Sequence, residues 1–381
     1  MKSSRRGQVD PFIVMDMVEA ARKIEAEGRR VIHMEVGQPG TPAPARALAE
    51  TARAMAAGSL GYTVSLGLPE LRRAIADLYR RWYGIDLDPG RVVVTSGSSG
   101  AFVLAFAALF DAGEQVGMAE PGYPSYRAIL QAMSLVPVGI QTRAENRFQP
   151  VTSDLARQDL QGLIVASPGN PAGTMLGRAE LKALMDHAQE RGISFISDEI
   201  YHGLHYGARA VSALEISDQA YVINSFSKYF SMTGWRVGWM VVPQDHVRTI
   251  ERLAQNLFIC APHVAQVAAL AALEAEEEME ANRAVYAANR ELMLQGLPKA
   301  GFTRIAPPDG AFYIYADVSD LTQDSRGFAQ EVLRGAGVAL APGMDFDPIR
   351  GARSLRFSYA RGTADIEEGL ARLHEFMGRR E

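Results

Sequence analysis

From about residue 90 the chain alternates short, nearly unbroken apolar runs with longer stretches in which apolar residues recur every three or four positions. The runs are Arg91–Thr95, Gln115–Ala119, Val136–Ile140, Gly162–Ala166, Ile193–Ser197 and Tyr221–Asn224. The longer stretches between them are Ser99–Phe110, Pro124–Met133 and Arg178–Arg191. Strands this continuously apolar need cover on both faces, so the pattern predicts a mainly parallel α/β sheet flanked by helices. Residues 235–242 (WRVGWMVV) read as one further strand. Residues 10–27 are spaced as an amphipathic helix, with Asp10 as its cap ahead of Pro11.

Residues 262–300 are rich in alanine, leucine and glutamate and contain no glycine before Gly296, which predicts one long helix, a spine between two domains. Its acidic run Glu274–Glu280 reads as a solvated helical face. After residue 300 strands (Phe312–Ala316, Val338–Ala341, Ser354–Ser358) mix with helices (326–336, 363–378), the pattern of a smaller α+β domain. The expected division is a large α/β domain over 46–285 and a small α+β domain built from both termini, 1–45 and 286–381.

Composition narrows the function classes. Of 381 residues 48 % are hydrophobic and 22 % charged, which suits a globular chain rather than a disordered one. A net charge of −5 without a long basic run argues against a nucleic-acid or anionic-membrane binder. The lone Cys260 leaves no disulfide framework and no cysteine metal cluster, and the histidines show no ligand spacing beyond His202 and His205. No signal peptide or apolar run of about 18 residues is present, so the expectation is a cytoplasmic protein without a membrane anchor or a metal.

Lysine is scarce: Lys2, Lys23, Lys182, Lys228 and Lys299 are the only five. One of them stands in an unusual place. The segment 224–239, NSFSKYFSMTGWRVGW, puts Lys228 just past a predicted strand, between Ser227 and aromatic neighbours, with Arg236 eight positions on. A desolvated lysine loses part of its basicity and becomes a nucleophile toward an aldehyde. Ser225, Ser227 and Arg236 offer the donors that a phosphate needs. An amine nucleophile beside a phosphate site points to a phosphorylated aldehyde, with pyridoxal 5′-phosphate the leading candidate.

Other segments agree. Ser96–Ala101 (SGSSGA) lies between a strand and a helix, where backbone amides cradle phosphate, and includes Ser98 and Ser99. Asp198 ends a buried strand and could keep a pyridine nitrogen protonated, with the Tyr201 phenol near the ring oxygen. Asn170 sits in the turn SPGNPAG (167–173), and Tyr123 in PGYPSY (121–126) offers an aromatic platform.

In this order and spacing the segments resemble the class I/II aminotransferases, fold-type I pyridoxal-phosphate enzymes of the aspartate aminotransferase superfamily, over essentially the whole chain. The resemblance implies a fold-type I α/β transferase and a homodimer with shared sites. It implies that Lys228 forms the internal aldimine and then acts as the base, that Asp198 pairs with the pyridinium, and that Tyr201 and Asn170 contact O3′. Tyr123 would stack on the ring, while Ser98, Ser99, Ser225, Ser227 and Arg236 would hold the phosphate, joined by Tyr62 from the neighbouring subunit. Arg356, helped by Asn170 and the Gly37 backbone, would grip the substrate carboxylate. The implied reaction is ping-pong transfer of an amino group from an L-amino acid to a 2-oxo acid. A C–S β-lyase or related eliminating enzyme of the same fold is the alternative, and a regulatory aminotransferase-like domain a more distant one.

Three departures from the family pattern stand out. The asparagine turn carries Ala172 in place of threonine, no histidine backs Asp198, and Asp347 replaces a common glycine. No arginine or lysine falls between Leu253 and Leu273, and Ser99 stands where some relatives carry a lysine. Both absences leave a distal substrate carboxylate without a partner, so a neutral side chain is favoured over aspartate, against a wall of Phe12, Ile13, Tyr62 and Tyr123.

Overall fold

A computed structural model describes residues 2–380 apart from Ser59 and Arg157. In chain order its strands are β1 (Ile32–His33), β2 (Val92–Thr95), β3 (Gln115–Glu120), β4 (Val136–Gln141), β5 (Gly162–Ala166), β6 (Ser194–Asp198), β7 (Tyr221–Ser225) and β8 (Gly238–Val241). The later strands are β9 (Arg304–Ala306), β10 (Tyr313–Asp317), β11 (Val338–Ala339), β12 (Ala341–Pro342) and β13 (Ser354–Ser358). Seven of them form one sheet in the order β2-β8-β7-β6-β5-β3-β4, parallel except for β8, which runs antiparallel to both β2 and β7.

Period-two alternation sends the side chains of this sheet into two separate cores. Ile164, Ile196, Ile223 and Met240 pack with Phe102 and Phe106 of the helix Gly97–Leu109. Leu163, Val165, Phe195, Val222 and Trp239 face the opposite side, against Leu181 and Leu184 of the helix Arg178–Glu190. Each such side chain, fully buried, contributes about 1.5–3 kcal/mol. Pro137 sits in β4, an edge strand that hydrogen-bonds to β3 alone, where a missing N–H is tolerated.

The rest of the chain forms a second layer system. β12, β13, β10 and β9 make an antiparallel sheet, while β1 pairs parallel with β11. This last pairing ties residues near the start of the chain to its final third.

Five expectations need correction. The first helix runs Ile13–Ala26, and Asp10 does not cap it; the carboxylate of Asp345 accepts from Ile13 N at 2.8 Å and Val14 N at 2.6 Å instead. A cap supplied from 331 residues away leaves no local signal. The stretch 262–300 is two helices, His263–Ala272 and Glu276–Lys299, because three glutamates (276–278) favour the positive end of a new helix. The acidic run is not merely solvated: Glu278 accepts from Ala45 N at 3.0 Å, and Glu280 accepts from the Tyr229 hydroxyl at 2.8 Å. Val338–Ala341 divides at Leu340, where the chain changes from the β1 partner to the β13 partner. Finally, the strand expected at 235 begins at Gly238, since Thr233–Trp235 is a 3-10 turn and Arg236 has φ 52°.

Candidate active site

Open parallel sheets leave a crevice beyond the carboxyl ends of their strands. Here β6 ends on Asp198, β7 runs on to Lys228, and β2 feeds the helix Gly97–Leu109. A cavity of about 240 Å³ lies over these ends and is closed from the other side by Arg356, Tyr313 and the first helix. Its charged lining is Lys228, Arg236 and Arg356 against Asp198, an excess of positive charge suited to an anionic ligand.

Lys228 points into this space and donates from Nζ to the Gly37 carbonyl at 2.5 Å. Burial, reinforced by the charges of Arg356 and Arg236, lowers its pKa to about 7. The amine therefore exchanges a proton near neutrality. Asp198 is buried, and burial raises its carboxyl to about 6 against the opposing pull of hydrogen bonds from Tyr126 and Ile200 N (3.1 Å). The Tyr126 hydroxyl donates to Asp198 Oδ2, so a phenol three residues beyond Tyr123 backs the carboxylate where a histidine is absent.

At one end of the cavity stand Ser98 and Ser99, in the first turn of the helix Gly97–Leu109. Ser96 caps that helix without a side-chain hydrogen bond, which leaves its first amides available. Gly97 has φ 71°, and a Cβ there would lie 2.5 Å from Arg236 Nη2; one on Gly238 would lie 3.1 Å from Ser98 N. Two glycines thus let a guanidinium and a bare helix terminus converge, a cradle with the donors of a phosphate site. Ser227 lines the cavity, whereas Ser225 stands behind it, its Oγ 2.9 Å from Ser227 Oγ and 3.1 Å from the Val237 carbonyl.

The opposite end is a buried arginine. Arg356 donates from Nη1 to Asn170 Oδ1 at 2.9 Å and from Nη2 to the Glu35 carbonyl, while its Nε is buried without a partner. Its guanidinium carbon lies 4.3 Å from the ring centre of Tyr313 and 4.7 Å from that of Phe346. Phe12, Val14 and Met15 supply apolar wall beside it, held by the Asp345 cap.

Of the sequence-predicted residues, Gly37, Ser98, Ser99, Tyr123, Asn170, Asp198, Tyr201, Ser227, Lys228, Arg236 and Arg356 all line this one cavity. Ser225 is one layer removed. Ile13 is not among the lining residues; the helix register presents Val14 and Met15 instead. Tyr62 does not line the cavity of its own chain and is 82 % exposed. Sequence reasoning missed Tyr126, Tyr313 and Phe346. Tyr126 follows Tyr123 at helical spacing, and Tyr313 alternates with Tyr315 on a predicted strand, so both carried a weak signal. Phe346 had none. Asp347, the third departure, accepts from Ile349 N and Arg350 N and pairs with the Arg350 guanidinium, whose Nη1 and Nη2 donate to the carbonyls of Thr142 and Glu120. The substitution thus belongs to a strap between the two sheet systems.

A lysine titrating near neutrality, a buried carboxylate and two anion-binding ends fit pyridoxal 5′-phosphate together with a substrate carboxylate. The comparisons with known proteins point the same way. A sequence model of the family described as aminotransferase class I and II matches residues 29–373. A valine–pyruvate aminotransferase from Mycobacterium tuberculosis is 47 % identical over 98 % of this chain and 97 % of its own. A solved structure from Silicibacter pomeroyi is 66 % identical, covers all of both chains and superposes with a TM-score of 0.96. The aspartate aminotransferase of Thermus thermophilus, solved with maleate, is 30 % identical over 99 % of this chain and all of its own, with a TM-score of 0.92.

Proposed function

Because the chain belongs to the class I and II aminotransferases, we propose that it transfers the amino group of a neutral L-amino acid to a 2-oxo acid, with Lys228 as the base. The enzyme is a pyridoxal-phosphate-dependent transaminase acting on amino acids and 2-oxo acids. When bound, the cofactor supplies an aldehyde that joins amines and a ring that accepts the electron pair released at the substrate Cα.

The chain's own groups have the following proposed tasks. Arg236, Ser98, Ser99, Ser227 and the first turn of the helix Gly97–Leu109 bind the phosphate, with Ser225 fixing Ser227 from behind. Asp198 presents a carboxylate to a cationic ring nitrogen, and that cation in turn favours the ionised carboxylate. Tyr123 would supply an aromatic face for the ring, and Tyr201 and Asn170 would offer donors to its oxygen. Arg356 orients the substrate carboxylate with Asn170 and the Gly37 backbone beside it. Lys228 Nζ, its basicity lowered by burial, would take the proton from the substrate Cα and deliver it to the carbon that carried the cofactor's aldehyde.

One observation carries the substrate class. Among the described residues the cations lining the cavity are Lys228, Arg236 and Arg356, each with a task already, and the wall of Phe12, Val14, Met15, Val36 and Ile200 is apolar. A second substrate carboxylate there would lose its hydration without a partner, at a cost of about several kcal/mol. The name of the Mycobacterium relative supports the same class. The test is kcat/KM for valine, alanine and aspartate with pyruvate as acceptor; valine or alanine should win, and a tenfold preference for aspartate overturns the assignment.

Two features support a homodimer as the working form. Tyr62, Val64, Leu257 and Ile259 are exposed at 82 %, 57 %, 53 % and 47 %, an apolar surface that association would cover. Their segments are tied together by Gly61 O to His263 Nδ1 at 2.9 Å and Gln266 Nε2 to Thr63 Oγ1 at 3.0 Å. In this reading Tyr62 reaches the partner's phosphate site. The division into 46–285 and the two terminal segments gives two lobes whose cleft is the cavity. No helix among the described residues is long and apolar enough to cross a membrane. A free, partly buried Cys260 suits a reducing compartment, and the cytoplasm is the proposed location.

A further inference from the structure

Tyr313 occupies the junction of three parts of the site. It is 1 % exposed, and β10 places Tyr315 opposite Arg356 in the antiparallel register, so Tyr313 is the diagonal neighbour of that arginine across the strands. Its ring face lies under the guanidinium. Its hydroxyl is 2.9 Å from the Tyr201 hydroxyl. A Cβ at Gly37 would stand 1.8 Å from that same oxygen, so the loop whose carbonyl receives Lys228 Nζ rests directly on the Tyr313 phenol. A longer side chain at 37 would push the phenol away from both partners.

We propose that Tyr313 is a positioning residue that couples the two ends of the cavity: its ring aligns Arg356, and its hydroxyl donates to Tyr201 Oη, leaving the Tyr201 proton directed into the cavity. The inference rests on the cofactor and carboxylate tasks proposed above. Two hydroxyls in contact share one hydrogen bond, and the more acidic of the two is the better donor. Burial raises both phenols; the largest influence after burial is the opposing charge of Arg356 at Tyr313, whereas at Tyr201 the neighbouring Tyr313 adds to the rise, as does the charge of Asp198. A Tyr201 that accepts from Tyr313 becomes a stronger donor to the phenolic oxygen of a bound cofactor. Loss of the Tyr313 hydroxyl therefore weakens the Tyr201 donation without moving the arginine, whereas loss of the ring affects both.

The test compares Tyr313→Phe with Tyr313→Leu in the loaded enzyme. The readouts are the pH midpoint of the visible absorption band and the dissociation constant of 3-methylbutanoate, a carboxylate that cannot react. Tyr313→Phe should raise the midpoint by roughly half a unit to one unit and leave the carboxylate affinity within about twofold. Tyr313→Leu should weaken carboxylate binding about tenfold as well, and raise KM more than it lowers kcat. In a Tyr201→Phe background the midpoint shift caused by Tyr313→Phe should vanish, because the cycle removes the acceptor. An unmoved or lowered midpoint in Tyr313→Phe, a shift that survives in the Tyr201→Phe background, or an unchanged carboxylate affinity in Tyr313→Leu overturns the proposal. Absence of a visible band in the unmodified protein would instead defeat the cofactor reading beneath it.

Discussion

The two ends of the cavity are assembled in opposite ways. The end holding Asp198, Lys228 and the helix Gly97–Leu109 grows out of the strand ends of a single sheet, each functional group within a few residues of a strand that is buried on both faces. The end holding Arg356 is gathered from separate stretches: Phe12–Met15, Glu35–Gly37, Tyr313, and the loop and strand from Asp345 to Arg356. A rigid sheet can fix reacting groups to a fraction of an ångström, which proton transfer needs. Separate stretches meeting across a cleft can be altered one at a time, which suits the recognition of varied side chains. The difference implies that substitutions at the first end should act on the rate of chemistry, and those at the second on substrate affinity and choice.

Removing the base gives the largest effect. Lys228→Ala should lower transamination by at least about 10³-fold while the melting temperature stays near that of the parent, since the side chain occupies a cavity rather than the packed core. Borohydride should no longer fix the cofactor to the chain. Near-parent turnover in this variant would end the assignment of the sheet-built end as the chemical one.

Asp198→Asn comes next, with kcat expected to fall by about 10²-fold or more and KM to change little, because a neutral amide cannot hold a cationic ring nitrogen. Asp198→Glu keeps the charge and should be milder. Tyr126→Phe removes one donor from Asp198 and should cost about tenfold in kcat. If the Asn and Glu variants are equally impaired, geometry rather than charge governs this end.

How much of each end could be read from the chain follows from the same contrast. Lys228, Asp198, Ser98 and Ser99 sit in contiguous segments whose unbroken apolar runs and turn residues announce strand, turn and helix, so their elements were legible, whereas Arg236 was expected inside a strand and stands in the turn before it. β5 and β13 have the bounds expected for them, and the helix Thr363–Gly378 begins where its spacing does. Arg356 was found only through family resemblance. Nothing within its strand distinguishes it from the other arginines, because its partners Asn170 and the Glu35 carbonyl lie 186 and 321 residues away. Asp345 as the cap of the first helix, Phe346 beside Arg356 and the Arg350 strap share that property. Contacts of this kind leave no periodicity, and only the folded chain reveals them.

The smallest expected effect is a control on the comparison. Glu199 follows Asp198 directly but faces the core, bonded to Ser212 Oγ and to Ala213 N at 2.8 Å, and burial raises its pKa to about 8. The folded state then keeps a proton that the unfolded state gives up near its ordinary value of 4.5, so stability falls as pH rises between those limits. Glu199→Gln should leave kcat and KM within about twofold and flatten the decline of melting temperature between pH 5 and 8, as measured by thermal scans of both proteins. A large loss of activity in this variant would mean that the neighbour of Asp198 belongs to the chemical end after all.

The most direct test of the account is a single half-reaction without acceptor. Loaded enzyme is mixed rapidly with valine or with aspartate, and the loss of the visible cofactor band is followed against amino acid concentration. The account predicts that valine discharges the band with the higher ratio of limiting rate to half-saturating concentration, by about tenfold or more, the aspartate deficit appearing mainly in half-saturation. Equal ratios, or an advantage for aspartate, would contradict an apolar recognition end facing a charged chemical one.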